Sequence, residues 1–185
     1  MRISHLAGLL ALCAGAANAS SFSYDHVEGG FGEIDDADSL FVRGSTSLDK
    51  NLYLLGGAFI LDDKNIDGFY LQGGLGYHLP LSKQADLYFN GQLLYADVEV
   101  DTPFGSADDD ELGFILRAGL RFMPVDKVEL EGVLAASSND LLIDDGLGLE
   151  VYGRYHFNPQ LSTALGLHSD TELDGISLSL RYNFK

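Results

Sequence analysis

The ten residues Gly175–Phe184, GISLSLRYNF, constrain this chain more than any other stretch. In an extended backbone successive side chains point to opposite sides. Ile176, Leu178, Leu180, Tyr182 and Phe184 therefore share one face, and Ser177, Ser179, Arg181 and Asn183 share the other. Only Lys185 follows. A soluble sheet can end on such a strand and leave an open edge. A closed barrel must pair it with its first strand, because closure is what removes the edge.

The other end of the chain carries an address. Arg2 provides a positive start, Leu6 to Ala17 an apolar run, and Ala17-Asn18-Ala19 a small-residue cleavage site. Residues 1–19 are thus expected to be a secretory signal peptide cut after Ala19, since the run is shorter than the ~20 residues of a spanning helix. Cys13 is the sole cysteine and lies inside this leader. It follows Leu12, where a lipoprotein leader places a small residue, so no lipid anchor is expected. Residues 20–185 then form one domain without disulfides. The leader holds one of the 11 basic residues and none of the 28 acidic ones, which leaves a strongly anionic chain and argues against nucleic-acid binding.

The pattern of the closing strand recurs along the domain. Period-2 alternation is read over Phe22–Gly32, Leu40–Leu48, Gly68–Leu79, Leu87–Tyr95, Glu111–Phe122, Val128–Ala136, Leu147–Phe157, Leu161–His168 and Gly175–Phe184. Leu52–Leu61 is apolar on both sides, so its inner and outer faces stay open. Alternation slips near Asp97–Val100, which suggests a bulge or a strand running beyond the bilayer. Short connections at Asp49–Asn51, Pro80–Ala85, Met123–Lys127 and Asn158–Gln160 alternate with acidic loops. Those loops are read around Asp35–Asp38 and over Asp62–Asp67, Asp101–Asp110, Ser137–Gly146 and Ser169–Asp174. Short periplasmic turns and longer external loops are the two ends of a bacterial barrel. Each apolar face also matches the ~9–11 residues of a tilted membrane strand. The expected fold is all-β: a closed antiparallel up-and-down transmembrane β-barrel of ten strands, with eight as the rival count. Both termini would lie at the periplasmic side.

A soluble sandwich also alternates, so the less apolar face decides the reading. Arg43, Arg117, Arg121, Arg154 and Arg181 recur there with Glu28, Glu111, Glu129, Glu131 and Glu150. Inside a barrel these charges face a lumen too narrow to stay empty, and they should pair across it, because an unpaired buried guanidinium is costly. Arg181 is expected to point into a lumen that holds glutamates such as Glu28 and Glu150. His26, His78 and His156 read as lumen residues. Tyr77, Tyr95, Phe122, Tyr155, Phe157, Tyr182 and Phe184 read as an aromatic girdle at the turn-side end of the apolar face.

The long loops gather the aspartates, and Lys50, Lys83 and Lys127 sit in the short turns. An anionic rim keeps a surface soluble. Carboxylate-rich loops also suit divalent cations, alone or bridging to lipopolysaccharide phosphates, although no EF-hand spacing is present. His168-Ser169-Asp170 is the compact catalytic candidate, but adjacent strand residues point apart, so no enzyme activity is expected. No phosphate loop, zinc motif or nucleotide fingerprint is found. No catalytic, cofactor-binding or metal residue is assigned, and no cofactor is expected.

The stretch Ser23-Tyr24-Asp25-His26-Val27-Glu28-Gly29-Gly30-Phe31 resembles the start of a family of small Gram-negative outer-membrane barrels. These are OmpA-like in their barrel, and they include a protein described in plant pathogens as an activator of host immunity. Leu54-Leu55-Gly56-Gly57, Gly74 to Tyr77 and Phe157-Asn158-Pro159 resemble it too. The resemblance implies an integral outer-membrane protein, carried in part on vesicles, with no defined ligand residues. This chain departs from it in ending on Lys185 rather than on an aromatic.

The functional expectation is a monomeric outer-membrane barrel with a structural or surface-interaction role. Its polar lumen would be occluded by Arg/Glu pairs, and its partners would be membrane lipid and lipopolysaccharide. A small-solute porin is the alternative, and an enzyme at the rim the third reading.

Overall fold

The structure, a computed structural model, describes residues 22–34, 37–63, 66–102, 105–139, 143–169 and 174–184. The expected leader, residues 1–19, lies outside them, as do Asp35, Asp36, Asp140, Asp170 and Glu172. Among the described residues ten strands run β1 (His26–Ile34), β2 (Ala37–Ser47), β3 (Leu52–Asp63), β4 (Ile66–Pro80), β5 (Ala85–Thr102), β6 (Gly105–Val125), β7 (Val128–Asn139), β8 (Ile143–His156), β9 (Leu161–Ser169) and β10 (Asp174–Asn183). Each pairs antiparallel with its sequence neighbours, and β1 pairs with β10, which closes the barrel. The closing ladder runs from His26↔Asn183 to Ile34↔Gly175. Val27, Gly29 and Phe31 thus stand beside Tyr182, Leu180 and Leu178 on one outer face. The strand count is ten rather than eight, and both ends of the described chain lie at the short-turn end.

The outer face explains the composition. Leu93 and Leu112 are 74% and 77% exposed, and large apolar side chains of every strand share their situation. In water this belt would far exceed the apolar patch a monomer tolerates, and in a bilayer it is the lipid contact. No described helix is long and apolar enough to cross a membrane; the strands do so. The open question at β3 resolves by register. Leu52, Leu54 and Ile60 face out, whereas Tyr53 is buried in the interior and Phe59 and Leu61 pack inside. Periodicity could not separate them because both sides of this strand meet apolar surroundings.

Three expectations need correction. The acidic segments at the far end are largely strand. β5 and β6 pair without a shift from Ala85↔Phe122 to Thr102↔Gly105, so Asp97–Val100 is an extension, not a bulge. Asp62, Asp63, Asp67, Asp101, Asp109 and Asp110 also lie in strands. Past Tyr95 the outward face turns acidic while backbone pairing continues: Asp97 and Glu99 are exposed, and Ala96 and Val98 are buried inside. The turn read at Met123–Lys127 shrinks to Asp126–Lys127, with a register shift between Phe122 and Val125. Pro124, which has no N–H for the ladder, fits at such a shift. Finally, Phe22–Asp25 precede β1 rather than belonging to it, and they fold into the barrel mouth.

The inner wall is fitted by aromatic rings laid over glycines. Register sets Gly30 opposite Phe41, Gly76 opposite Tyr53, Gly119 opposite Tyr88 and Gly166 opposite Tyr152. In each pair a Cβ on the glycine would collide with the partner ring. These close approaches let bulky rings lie along the wall of a narrow lumen.

Candidate functional site: the lumen and its mouths

Alternation delivers the polar side chains inward, and barrel closure brings them together. Glu28 of β1 is fully buried. It accepts from Arg43 of β2 (3.0 Å), Arg154 of β8 (3.1 Å to each oxygen), and both Ser179 and Arg181 of β10 (2.6 Å each). One carboxylate thus anchors three guanidiniums from three walls. Such an arrangement holds only if hydrogen bonding offsets desolvation.

Further polar pairs surround this hub. Arg121 donates to Glu129 at 2.8 Å, and the second Glu129 oxygen meets His156 Nε2 at 2.9 Å. The Tyr88 hydroxyl donates to Glu131. Arg117 and the Tyr152 hydroxyl donate to Glu150 at 3.1 and 2.7 Å. Arg43 also lies over the Tyr152 ring, 5.3 Å from its centre, linking β2 to β8 across the lumen. The expected Arg/Glu pairing is present: Arg181 meets Glu28, and Glu150 takes Arg117.

Towards the short-turn end, the segment before β1 forms an aromatic layer. Tyr24 stacks on His78 with centroids 4.1 Å apart, and its hydroxyl donates to Asp86 at 3.0 Å. Phe22 lies under Arg121, 4.7 Å from the guanidinium carbon. The Asp25 carboxylate accepts from Thr46 Oγ1, Ser47 N and Ser47 Oγ, which ties the segment to β2. Towards the other end the lumen is apolar on one side: Tyr70, Leu94, Ala96 and Ile115 are buried against Phe59 and Leu61. Sequence reading missed Asp86, Phe22 and Tyr24 as lumen residues. Their parity was available as a signal, since Phe22 and Tyr24 continue the inward set of His26 and Glu28, and Asp86 that of Tyr88.

The predicted compact triplet does not assemble. Asp170 is outside the described residues, Ser169 is exposed at the rim, and His168 points inward. His168 meets Ser177 of β10 instead, Nε2 to Oγ 3.0 Å. Tyr95 also leaves its expected place. It lies at the acidic end of β5, opposite Leu112, with its hydroxyl 3.4 Å from Asp97. The other six aromatics flank the short-turn end, where Tyr155 packs on Phe157 and Tyr182 on Phe184. Among the described residues no cluster of three or more His, Asp or Glu side chains could hold a metal ion.

No protein-family model matches the chain, and no curated protein matches its sequence. Its fold has solved counterparts. The KdgM porin in complex with disordered oligogalacturonate is similar over 86% of this chain and 99% of that one, with TM-score 0.53 and 8% identity. The NanC porin is similar over 86% of this chain and 98% of its own, with TM-score 0.52 and 9% identity. The N-terminal barrel domain of Pseudomonas aeruginosa OprF covers 85% of this chain and 96% of its own, with TM-score 0.47 and 10% identity. At these identities the likeness is one of fold. Closed ladder, lipid-facing belt and polar lumen together define a β-barrel of the bacterial outer-membrane class.

Proposed function

We propose that this chain is a monomeric outer-membrane barrel whose role is structural or surface-interacting, with a lumen occluded to solutes. The observation that carries the reading is the Glu28 hub: a fully buried carboxylate gripped by guanidiniums from β2, β8 and β10. A solute would have to part charges that the low-dielectric interior holds strongly. The aromatic layer of Phe22, Tyr24 and Tyr53 supports the same reading at the inner mouth. The exposed carboxylates of the external strands, among them Asp67, Asp97, Glu99, Asp109 and Asp110, would meet divalent cations and lipopolysaccharide phosphates. Release on vesicles and contact with a host surface accord with the resemblance noted above.

A small-solute channel is the second reading, favoured by likeness of fold to two porins, one of them solved with oligogalacturonate. Arg43 and Arg117, 27% and 20% exposed, would then meet an anionic solute. Planar-bilayer recordings on the refolded mature chain separate the two. The occluded reading expects a silent bilayer; reproducible unitary steps that vanish when the protein is left out would replace it with the channel.

A further inference from the structure

Ser177 and His168 do more than fill the outer lumen: we propose that they form a nucleophile and general base for acyl transfer from a carboxylic ester. This goes beyond the structural role and does not depend on whether the lumen conducts. The pair is 3.0 Å apart, within reach for proton transfer, and both side chains project inward from adjacent strands. Glu150 stands directly across from His168 in the β8–β9 register. Its oxygens are held by Arg117 and Tyr152, and the His168 ring packs edge-on against Tyr152 at 5.4 Å.

The contrast with the lumen's other serine–histidine pair is the discriminating observation. Ser45 Oγ lies 3.1 Å from His26 Nδ1, but it also lies 2.7 Å from the Tyr24 carbonyl, which can only accept, so its proton is committed there. Ser177 Oγ has no partner other than His168 Nε2 among the described residues. With Nε2 as acceptor, the Ser177 proton is aimed at the base. His78 and His156 face carboxylates, so His168 alone of the described lumen histidines is set beside an uncommitted hydroxyl.

The surroundings fit an ester. Gly32 and Gly166 flank Ser177 by register, and a Cβ on either would crowd the Ser177 side chain. Arg43 and Arg117 are partly exposed, and each guanidinium has five donors, more than its carboxylate partner uses. Spare donors of this kind stabilise an oxyanion. Phe41 and Phe59, stacked at 5.6 Å, give an acyl group an apolar wall. In the reaction Ser177 Oγ bonds to the carbonyl carbon and its proton passes to His168 Nε2. The C–O bond to the alcohol then breaks, and that proton leaves with the alcohol. Water repeats the sequence on the acyl-serine, releasing the acid and restoring Ser177.

The test uses the mature barrel folded in detergent, with p-nitrophenyl acetate as substrate and a fluorophosphonate as covalent probe. The expected result is probe labelling of the folded protein only, lost in Ser177→Ala. Turnover should fall at least about 100-fold in His168→Ala, the span general-base catalysis supplies. Ser169→Ala and Ser45→Ala should label as wild type does. Each variant is checked for folding by its unboiled gel mobility. Should Ser177→Ala fail to fold, Ser177→Cys replaces it, with iodoacetamide alkylation of the new thiol expected to slow when His168→Ala is added. Three results would each overturn the proposal: folded wild-type protein that takes no probe, labelling that survives Ser177→Ala, or alkylation of the Ser177→Cys variant at a rate indifferent to His168.

Discussion

Glu28→Gln is the sharpest perturbation the structure offers. The substitution keeps volume and shape but removes the charge that neutralises Arg43, Arg154 and Arg181, and it replaces one acceptor oxygen by a donating amide. Both oxygens are in use: Oε1 accepts from Arg43, Arg154 and Ser179, and Oε2 from Arg154 and Arg181. Whichever oxygen becomes the amide, an N–H faces a guanidinium. Breaking one buried ion pair costs about 3–5 kcal/mol, because the remaining charge stays desolvated and unpaired. Three guanidiniums share this carboxylate, so the upper part of that range is expected. Urea m-values of ~1–3 kcal/mol/M then translate the loss into a midpoint lowered by at least about 1 M. The assay is the folded fraction in lipid vesicles against urea, read from unboiled gel mobility. Glu33→Gln is the matched control on β1: it sits on the exposed outer face and should move stability by no more than about 0.5 kcal/mol. A Glu28→Gln midpoint within error of that control would refute the view that this carboxylate holds the lumen together.

Gly119→Ala should destabilise by about 1–3 kcal/mol, since the new methyl would occupy the place of the Tyr88 phenol, and the same urea titration checks it. Lys127 has φ 71° in the two-residue β6–β7 turn, so Lys127→Gly should raise stability by up to about 1 kcal/mol by the same titration, with wild-type gel mobility. Asp97 and Asp110 are directly paired across β5 and β6 on the outer face. Asp97→Asn should therefore stabilise by a few tenths of a kcal/mol at low salt, with the gain disappearing in 1 M salt; an undiminished gain would rule out like-charge repulsion.

How far the sequence can be read depends on what each element faces. The closing strand is legible to the residue, because lipid outside and charge inside make its two faces chemically opposite. β3 is not, since Tyr53, Phe59 and Leu61 pack against an apolar part of the interior while Leu54 and Ile60 meet lipid. The outer halves of β5 and β6 read as loop, because the outward face turns from apolar to acidic there while Ala96 and Val98 stay buried, so the alternation changes phase. Tyr95 reads as belonging to the wrong end, since an outward tyrosine satisfies either interface. The Ser177–His168 pair is hidden for another reason: the two stand nine positions apart, and only the β9–β10 register makes them neighbours.

By itself the sequence determined, for the strands with chemically opposite faces, which side chains face in and which face out. A period of two specifies a face without reference to any other part of the chain. Which charges meet inside was decided only by the tertiary structure. That Glu28 gathers arginines from β2, β8 and β10, that Arg117 takes Glu150, and that Tyr24 reaches across to Asp86 follow from how far each strand is staggered against the next around the closed barrel. Stagger accumulates over all ten strands, so no local stretch encodes it.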